Sequence, residues 1–209
     1  KYQSRWIAKA RRAPSGGAER PHHWMVSLSP PAALATRAWV QRVVVGLALC
    51  PWAQPAEQAG KIRYAVTPAA TAGDLLLALE TEVRRLQAEP GLETTLLVHP
   101  QALRKWEEFY PWVGGDAEAW LEDAGLDDAF QVVGFHPGFC FAGEAADDAS
   151  NWTNRSPFPM THILRQDSVE LAIESHPDPQ AVPEGNKCVL RRMGTERLRE
   201  LVRQCVDEG

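Results

Sequence analysis

The sequence predicts an α/β protein, a single domain with a largely parallel β-sheet flanked by helices and with one long ordered loop. Three observations support this fold class. Three apolar runs each stop just before a proline, and helical patterns fill the intervals between them. One long later segment shows neither the helical nor the strand periodicity. Strands that alternate with helices in this way normally form right-handed βαβ crossovers. We therefore expect a βαβαβ core.

The first half of the chain contains a helix, a strand and a second helix. From Pro31 to Leu49 apolar residues recur at helical spacing, which predicts a mostly buried amphipathic helix. Lys61 to Thr67 alternates charged and apolar residues and stops at Pro68, as a strand does. Thr71 to Ala88 carries a stripe of leucines and is followed by Pro90-Gly91, which predicts a helix with clear boundaries.

Two further strands and several helices follow. Apolar runs predict strands at Glu93 to His99 and at Phe130 to His136. The remaining patterns are helical segments at Ala102 to Tyr110 and Asp116 to Ala124, a short apolar piece at His162 to Arg165, a capping box from Asp167 to Glu170, and helical patterns that begin at Glu184 and Thr195.

Charge divides the chain near Met25. Residues 1–24 carry six basic side chains and one acidic side chain, whereas the other 185 residues carry 16 basic and 26 acidic ones, a net charge of −10. Met25 is followed by a plausible protein start, so residues 1–24 are interpreted as an appendage of upstream, expression-vector or targeting origin and residues 25–209 as a single α/β domain. A body this acidic argues against nucleic acid and anionic membranes as partners.

The cysteines and the apolar segments predict a cytoplasmic location. Cys50, Cys140, Cys188 and Cys205 are widely spaced, form no C-x-x-C pair and follow no secretory signal, which favours reduced thiols. The most apolar stretch, from Val43 to Ala56, has 14 residues and is interrupted by two prolines, so it is too short to span a bilayer.

Residues 137–161 form the longest segment without periodicity. Loops of this length in compact domains are usually functional or disordered, and four aromatic residues here argue against disorder. Phe139, Phe141, Trp152 and Phe158 can anchor the loop, and Asn151, Asn154, Arg155 and Ser156 supply hydrogen-bonding groups.

This loop also carries a family resemblance. The string from Asn151 to Pro159 follows Phe135-His136-Pro137 and precedes the residues from His162 to Arg165. Together with the segment from Leu49 to Ala53, it resembles the bacterial and plastid family catalogued as domain of unknown function 1415, over essentially Leu34 to Leu201. The resemblance implies no reaction and no cofactor. Family members usually have Phe at Trp52 and Tyr at Phe139 and Phe158, so phenolic hydroxyls are not required at the last two positions.

Histidines lie at the predicted strand ends and on both sides of the loop. Ligands in open α/β sheets bind outside the carboxyl ends of strands, and those ends carry Thr67, His99 and His136. If the ends of the loop close, His136 and His162 could approach each other and act as general acid and base. The alternative is that the His-Pro dipeptides only end the strands and have no functional role.

Cys50 adds two further possibilities. It could be the third ligand of a metal held by the two histidines, or a nucleophile with His136 or His162 as its base and an asparagine as the orienting group. Its reactivity depends on the helix to which it belongs. At the C-terminus of the long helix a thiolate is disfavoured, whereas as the N-cap of a turn that starts at Pro51 it is favoured. The alternative is a small buried hydrophobe.

Arg155 and Arg165 are the candidates for holding an anion, because guanidinium groups bind carboxylate and phosphate bidentately. Asn151, Asn154 and Ser156 would complete this substrate-binding set. Alternatively, Arg155 pairs with Asp147 or Asp148 and pins its own loop.

The leading functional hypothesis is a cytoplasmic enzyme that binds a small anionic substrate under the loop, with Cys50, His136 and His162 as catalytic residues. The competing hypothesis is a non-catalytic binding or assembly module that uses the same loop as a rigid interface. Exposed tryptophans at positions 106, 112 and 152 would favour the module. The sequence identifies neither a cofactor nor an oligomeric state.

Overall fold

The computed structural model describes residues 30–208, so the prediction for residues 1–24 lies outside the described part of the chain. The helices are α1 (Pro30–Trp39), α2 (Ala53–Gln58), α3 (Ala72–Ala88), α4 (Trp106–Pro111), α5 (Glu118–Asp123), α6 (Gln166–Ser175), α7 (Val182–Met193) and α8 (Thr195–Asp207). The strands are β1 (Ile62–Val66), β2 (Thr94–Val98), β3 (Phe130–Phe135) and β4 (Met160–Arg165).

Three shorter helical segments complete the fold. A π-helical segment, Val40–Val45, continues α1, and a second one, Trp112–Ala117, joins α4 to α5. The chain therefore remains helical through the Pro-Gly region that separates the two helical patterns in the sequence. A 3₁₀ helix, Ala149–Thr153, lies inside the long loop.

The four strands form one mixed sheet in the order β1-β2-β4-β3. β1 and β2 are parallel, but β4 is antiparallel to both β2 and β3. The expectation of a largely parallel sheet is therefore wrong. The α/β class and the three strand candidates of the βαβαβ pattern are confirmed.

β4 is responsible for the difference. The sequence shows His162 to Arg165 only as a short apolar piece, whereas the structure extends it to six residues and inserts it between β2 and β3. Met160 pairs with Val98 and with Phe135, and Arg165 pairs with Phe130. Because β4 reverses direction, β1, β2 and β3 still point the same way.

Both faces of the sheet are covered by helices. Alternate strand residues, including Ala65, Leu97 and Ile163, pack against the buried leucines of α3 and the buried aromatic side chains of α4 and the following π-helical segment. The intervening residues, including Val98 and Met160, pack against α1, α7, α8 and the 3₁₀ helix. We call these the α3 face and the α1 face.

The N-terminus of α3 has a side-chain cap, whereas that of α6 has none. The Thr71 side chain accepts a hydrogen bond from the Asp74 amide at 3.1 Å, which is a standard N-cap. By contrast, α6 begins at Gln166 and has no side-chain cap, so the predicted capping box at Asp167 to Glu170 does not form. Asp167 lies in the first turn instead, where its charge favours the helix dipole.

Candidate functional site

His99 lies at the sheet edge where β1, β2 and β3 end. It is fully buried. Its Nδ1 is 3.1 Å from the Ala102 carbonyl oxygen, which can only accept, so Nδ1 carries the proton. Nε2 then accepts from the Thr161 hydroxyl at 3.3 Å. The imidazole is thus neutral with both nitrogens engaged, and burial lowers the pKa of His99 to about 4.

His136 lies at the same edge and is held in the opposite tautomer. The Gly138 amide donates to Nδ1 at 2.9 Å, so Nε2 carries the proton and donates to the Leu103 carbonyl at 3.2 Å. Leu103 has a φ of 52°, an uncommon conformation for a residue with a side chain. Burial lowers the pKa of His136 below its ordinary value. Both strand-end histidines therefore act as neutral connectors between backbone segments.

His162 points to the other face of the sheet. Thr161 hydrogen-bonds to His99 on the α3 face, and side chains alternate along a strand, so His162 projects toward the α1 face. The Thr94 hydroxyl donates to the Ile163 carbonyl, so its oxygen accepts from His162 Nε2 at 2.7 Å. This leaves a lone pair on Nδ1, and burial lowers the pKa of His162 to about 4. The structure does not bring His136 and His162 together.

Cys50 lies in the turn before α2. Its thiol is half-buried, and the Ala53 amide donates to the Cys50 backbone carbonyl at 3.2 Å. Burial raises the pKa of the thiol. α2 begins at Ala53 with Trp52 as its N-cap residue, so the helix does not start at Pro51. Within residues 30–208 no histidine hydrogen-bonds to the Cys50 sulfur, and all four cysteines are free.

Asn151 and Arg155 are bonded inside their own loop. Asn151 is fully buried, and its side chain accepts from the Phe141 amide at 2.9 Å and donates to the Ala145 carbonyl at 2.8 Å. Arg155 donates from Nε to the Phe139 carbonyl at 3.0 Å and from Nη2 to the Ala146 carbonyl at 2.6 Å. Arg155 therefore pins its loop through carbonyl groups.

Several other polar groups of the loop are also engaged within the protein. Asp148 pairs with Arg191 at 3.1 Å, and this hydrogen bond holds the pKa of the carboxyl well below its usual range. The Ser156 hydroxyl donates to the Phe158 carbonyl at 2.7 Å, and the Asn154 carbonyl accepts from the His136 amide at 3.1 Å. The loop is thus held largely by its own hydrogen bonds.

Arg165 lies at the opposite edge of the sheet from the loop. Met160, at the start of β4, pairs with the last residues of β2 and β3, whereas Arg165 pairs with the first residue of β3. Five residues of strand separate them by about 17 Å. The Arg165 guanidinium donates to the carbonyls of Leu86, Leu92 and Glu89 at the end of α3. The structure thus separates the two arginines that the sequence places in one anion site.

A row of partly exposed aromatic rings runs along the edge where the loop meets α4. We call Tyr110, Trp106, Phe139 and Phe141 the aromatic row. Neighbouring ring centroids lie 5.5 Å, 5.1 Å and 4.8 Å apart in that order. Tyr110 at one end is 40% exposed, and the other three rings are partly exposed. At the other end the Lys187 ammonium lies 5.7 Å from the Phe141 ring.

The loop residues chosen from the sequence hold this row in place. Arg155 binds the Phe139 carbonyl, Asn151 binds the Phe141 amide, and His136 binds the amide of Gly138, next to Phe139. The His136 ring also contacts Trp106, with centroids 5.6 Å apart. The side chains of Arg155, Asn151 and His136 therefore all contact the aromatic row or the backbone that carries it.

Trp106 and Tyr110 were not identified from the sequence as neighbours on one surface. They are four residues apart in a predicted helix, so they share one helix face, and this spacing is a usable signal. Thr94 was also missed, since nothing local shows that it will reach His162. Trp112 and Trp152 are buried at 2% and 7% exposure, which leaves Trp106 as the accessible member of the three tryptophans.

In residues 30–208 no group of three or more His, Cys, Asp or Glu side chains is placed to hold a metal ion. None of the helices in this part of the chain is long and apolar enough to cross a bilayer.

The fold and the site define a mixed α/β protein in which a hydrogen-bonded loop supports an aromatic surface. The chain belongs to the family described as protein of unknown function (DUF1415), whose family model matches residues 32–200. No significant match was found among curated proteins or among solved structures.

Proposed function

We propose that this protein is a non-catalytic binding module and that the aromatic row contacts its partner. One observation carries the proposal: Asn151, Arg155 and His136 each fix the backbone at or beside a ring of the row. Aromatic side chains supply much of the binding energy at interfaces. Fixing them before binding reduces the entropy that association costs.

The enzyme hypothesis has less geometric support. Its two anion-holding arginines donate to backbone carbonyls of different regions, and two of its three catalytic candidates, His136 and His162, lie on opposite faces of the sheet. Acid–base partners need hydrogen-bond reach or one bridging water.

Selection from a random-peptide display library with the purified protein tests the module. We expect peptides whose affinity falls roughly tenfold, about 1.4 kcal/mol, with Tyr110→Ala or Trp106→Ala. Tyr110→Ala is the cleaner variant because Tyr110 is the more exposed ring. Trp52→Ala is the matched control, since Trp52 contacts His176 and lies outside the row. Failure to select any peptide that depends on the row would contradict the proposal.

A second candidate function, small-molecule chemistry at His162, is favoured by the Thr94 contact. That hydrogen bond fixes the Nε2–H tautomer and leaves Nδ1 as a base or a ligand on a partly exposed side chain. Native mass spectrometry of the purified protein tests it. A small molecule retained by the wild type and lost in His162→Gln supports this function. If both proteins show only the mass of their own polypeptide, the result argues against it.

A further inference from the structure

The inclination of the rings restricts what the aromatic row can bind. Neighbouring ring planes meet at 51°, 63° and 87° from Tyr110 to Phe141. Rings in contact at these angles leave shallow grooves between raised ring edges and do not form a common flat platform. Successive nucleobases bind by stacking on ring faces, and this geometry does not repeat such a face along the row.

Proline side chains fit shallow grooves between aromatic ring edges. Proline-rich segments adopt the polyproline II helix, and they dock in grooves lined by aromatic side chains. Every third residue of that helix lies on the same side, with a repeat of about 9 Å. This repeat is close to twice the spacing of neighbouring rings in the row, so prolines three residues apart would lie over alternate grooves. The preformed helix also loses little entropy on binding.

Charge selects among proline-rich partners. Residues 30–208 carry 16 basic and 26 acidic side chains, a net charge of −10. Glu107 is exposed beside Trp106 on α4, and it forms no ion pair within this part of the chain. Glu108 binds Lys105 at 3.2 Å. A basic side chain that extends from a polyproline helix in the row would find an available carboxylate at Glu107.

Two of the basic side chains near the row have partners within the protein. Lys187 at the Phe141 end lies 3.0 Å from Glu184 and 3.9 Å from Glu144. Arg155 is turned toward the carbonyls of Phe139 and Ala146. The field of the acidic body therefore attracts cationic partners and repels phosphate chains.

We propose that the partner is a proline-rich segment that carries Lys or Arg, bound to the aromatic row as a polyproline II helix with a basic side chain on Glu107. This inference rests on the proposed function and names the partner class for the same surface.

The probe is a synthetic peptide of four Pro-Pro-Arg triplets, with binding followed by calorimetry. We expect Tyr110→Ala to weaken binding roughly tenfold. Glu107→Gln should weaken it severalfold and reduce the loss of affinity between about 25 and about 200 mM salt. In one control peptide every proline is replaced by Gly or Ser, and in a second control peptide every arginine is replaced by Gln. Both control peptides should bind more weakly than the triplet peptide. Asp167→Gln is the matched charge control, because Asp167 is an exposed carboxylate in α6.

Equal binding of the peptide without prolines, or affinity unchanged by Tyr110→Ala, would overturn the inference. If display yields row-dependent peptides without proline while the triplet peptide fails to bind, the partner class is wrong and the binding module stands. If a single-stranded oligonucleotide competes for the row, the partner class is also wrong. If neither display nor the triplet peptide gives a row-dependent ligand, the proposed function itself fails.

Discussion

The backbone amide of Gly138 donates to Nδ1 of His136 at 2.9 Å, and this bond joins the long loop to the edge of the sheet. The approach is close, because a Cβ at position 138 would lie 3.3 Å from the same Nδ1, so a larger residue there would push the histidine ring back by a few tenths of an ångström. The contact fixes the tautomer of His136 and sets the position of Phe139, one residue later. A strand-end histidine thus positions the aromatic row.

Acid should destabilise the fold through His99. Its folded pKa of about 4 lies below the ordinary value of 6.5, so the unfolded chain takes up the proton first. The stability contribution is complete above about pH 6.5 and is lost as the pH falls toward about 4. At about pH 5 the loss through His99 is about 2 kcal/mol, and His162, whose pKa is also about 4, adds to the loss of the wild type. Urea unfolding at about pH 7.5 and at about pH 5 measures the sum.

Two histidine variants make this test specific. His99→Gln should lower stability at neutral pH but lose less on acidification, by about 2 kcal/mol. His176→Gln, in the turn after α6, should keep the full acid sensitivity of the wild type. If the wild type and His99→Gln lose equal free energy on acidification, His99 is not the group that titrates.

Arg155→Lys should loosen the aromatic row. A lysine ammonium cannot reproduce the planar fork that bridges the Phe139 and Ala146 carbonyls. We expect faster hydrogen exchange over residues 139–146 and a cost of about 1–2 kcal/mol in unfolding free energy. Arg84→Lys is the control, because Arg84 is 73% exposed and pairs with Glu80 within α3, outside the loop, where surface ion pairs contribute little. Unchanged exchange in Arg155→Lys would mean that Arg155 does not order the loop.

Arg165 should behave as a cap on α3. Its guanidinium satisfies the carbonyls of Leu86 and Glu89 at the helix end, and of Leu92 beyond it. Arg165→Ala should lower the unfolding free energy by about 2–3 kcal/mol, and Arg165→Lys should recover only part of this loss. Unfolding with phosphate added to the buffer distinguishes a helix cap from an anion-binding site. Stabilisation of the wild type by phosphate, absent in Arg165→Ala, would show that Arg165 holds an anion instead.

Local patterns predict most of the elements but only part of the sheet. β1, β2, β3 and α3 have a periodicity and boundary signals that can be read within a few residues. β4 has neither, because its register depends on two partner strands that are distant in the sequence. The position of Arg165 follows from that register, so its role as a cap could not be predicted either.

The candidate site shows the same limit. The loop, its aromatic residues and its hydrogen-bonding residues, including Asn151 and Arg155, follow from composition. Their partners do not, because backbone carbonyls and amides carry no sequence signal. The face on which His162 lies depends on strand parity, and a shift of one residue would reverse it.

Ala48→Gly should stabilise the protein. The helical run that starts as α1 ends in a Schellman motif, with Ala48 N–H bound to the Val45 carbonyl and Leu49 N–H to the Val44 carbonyl, both at 2.9 Å. Ala48 has a φ of 53°, a conformation that glycine adopts without strain. We expect a gain of about 0.5–1 kcal/mol in urea unfolding, since relief of strain exceeds the entropy that glycine adds to the unfolded chain. Ala78→Gly, inside α3, should instead cost about 1 kcal/mol. A loss of stability in both variants would show that Ala48 is not strained.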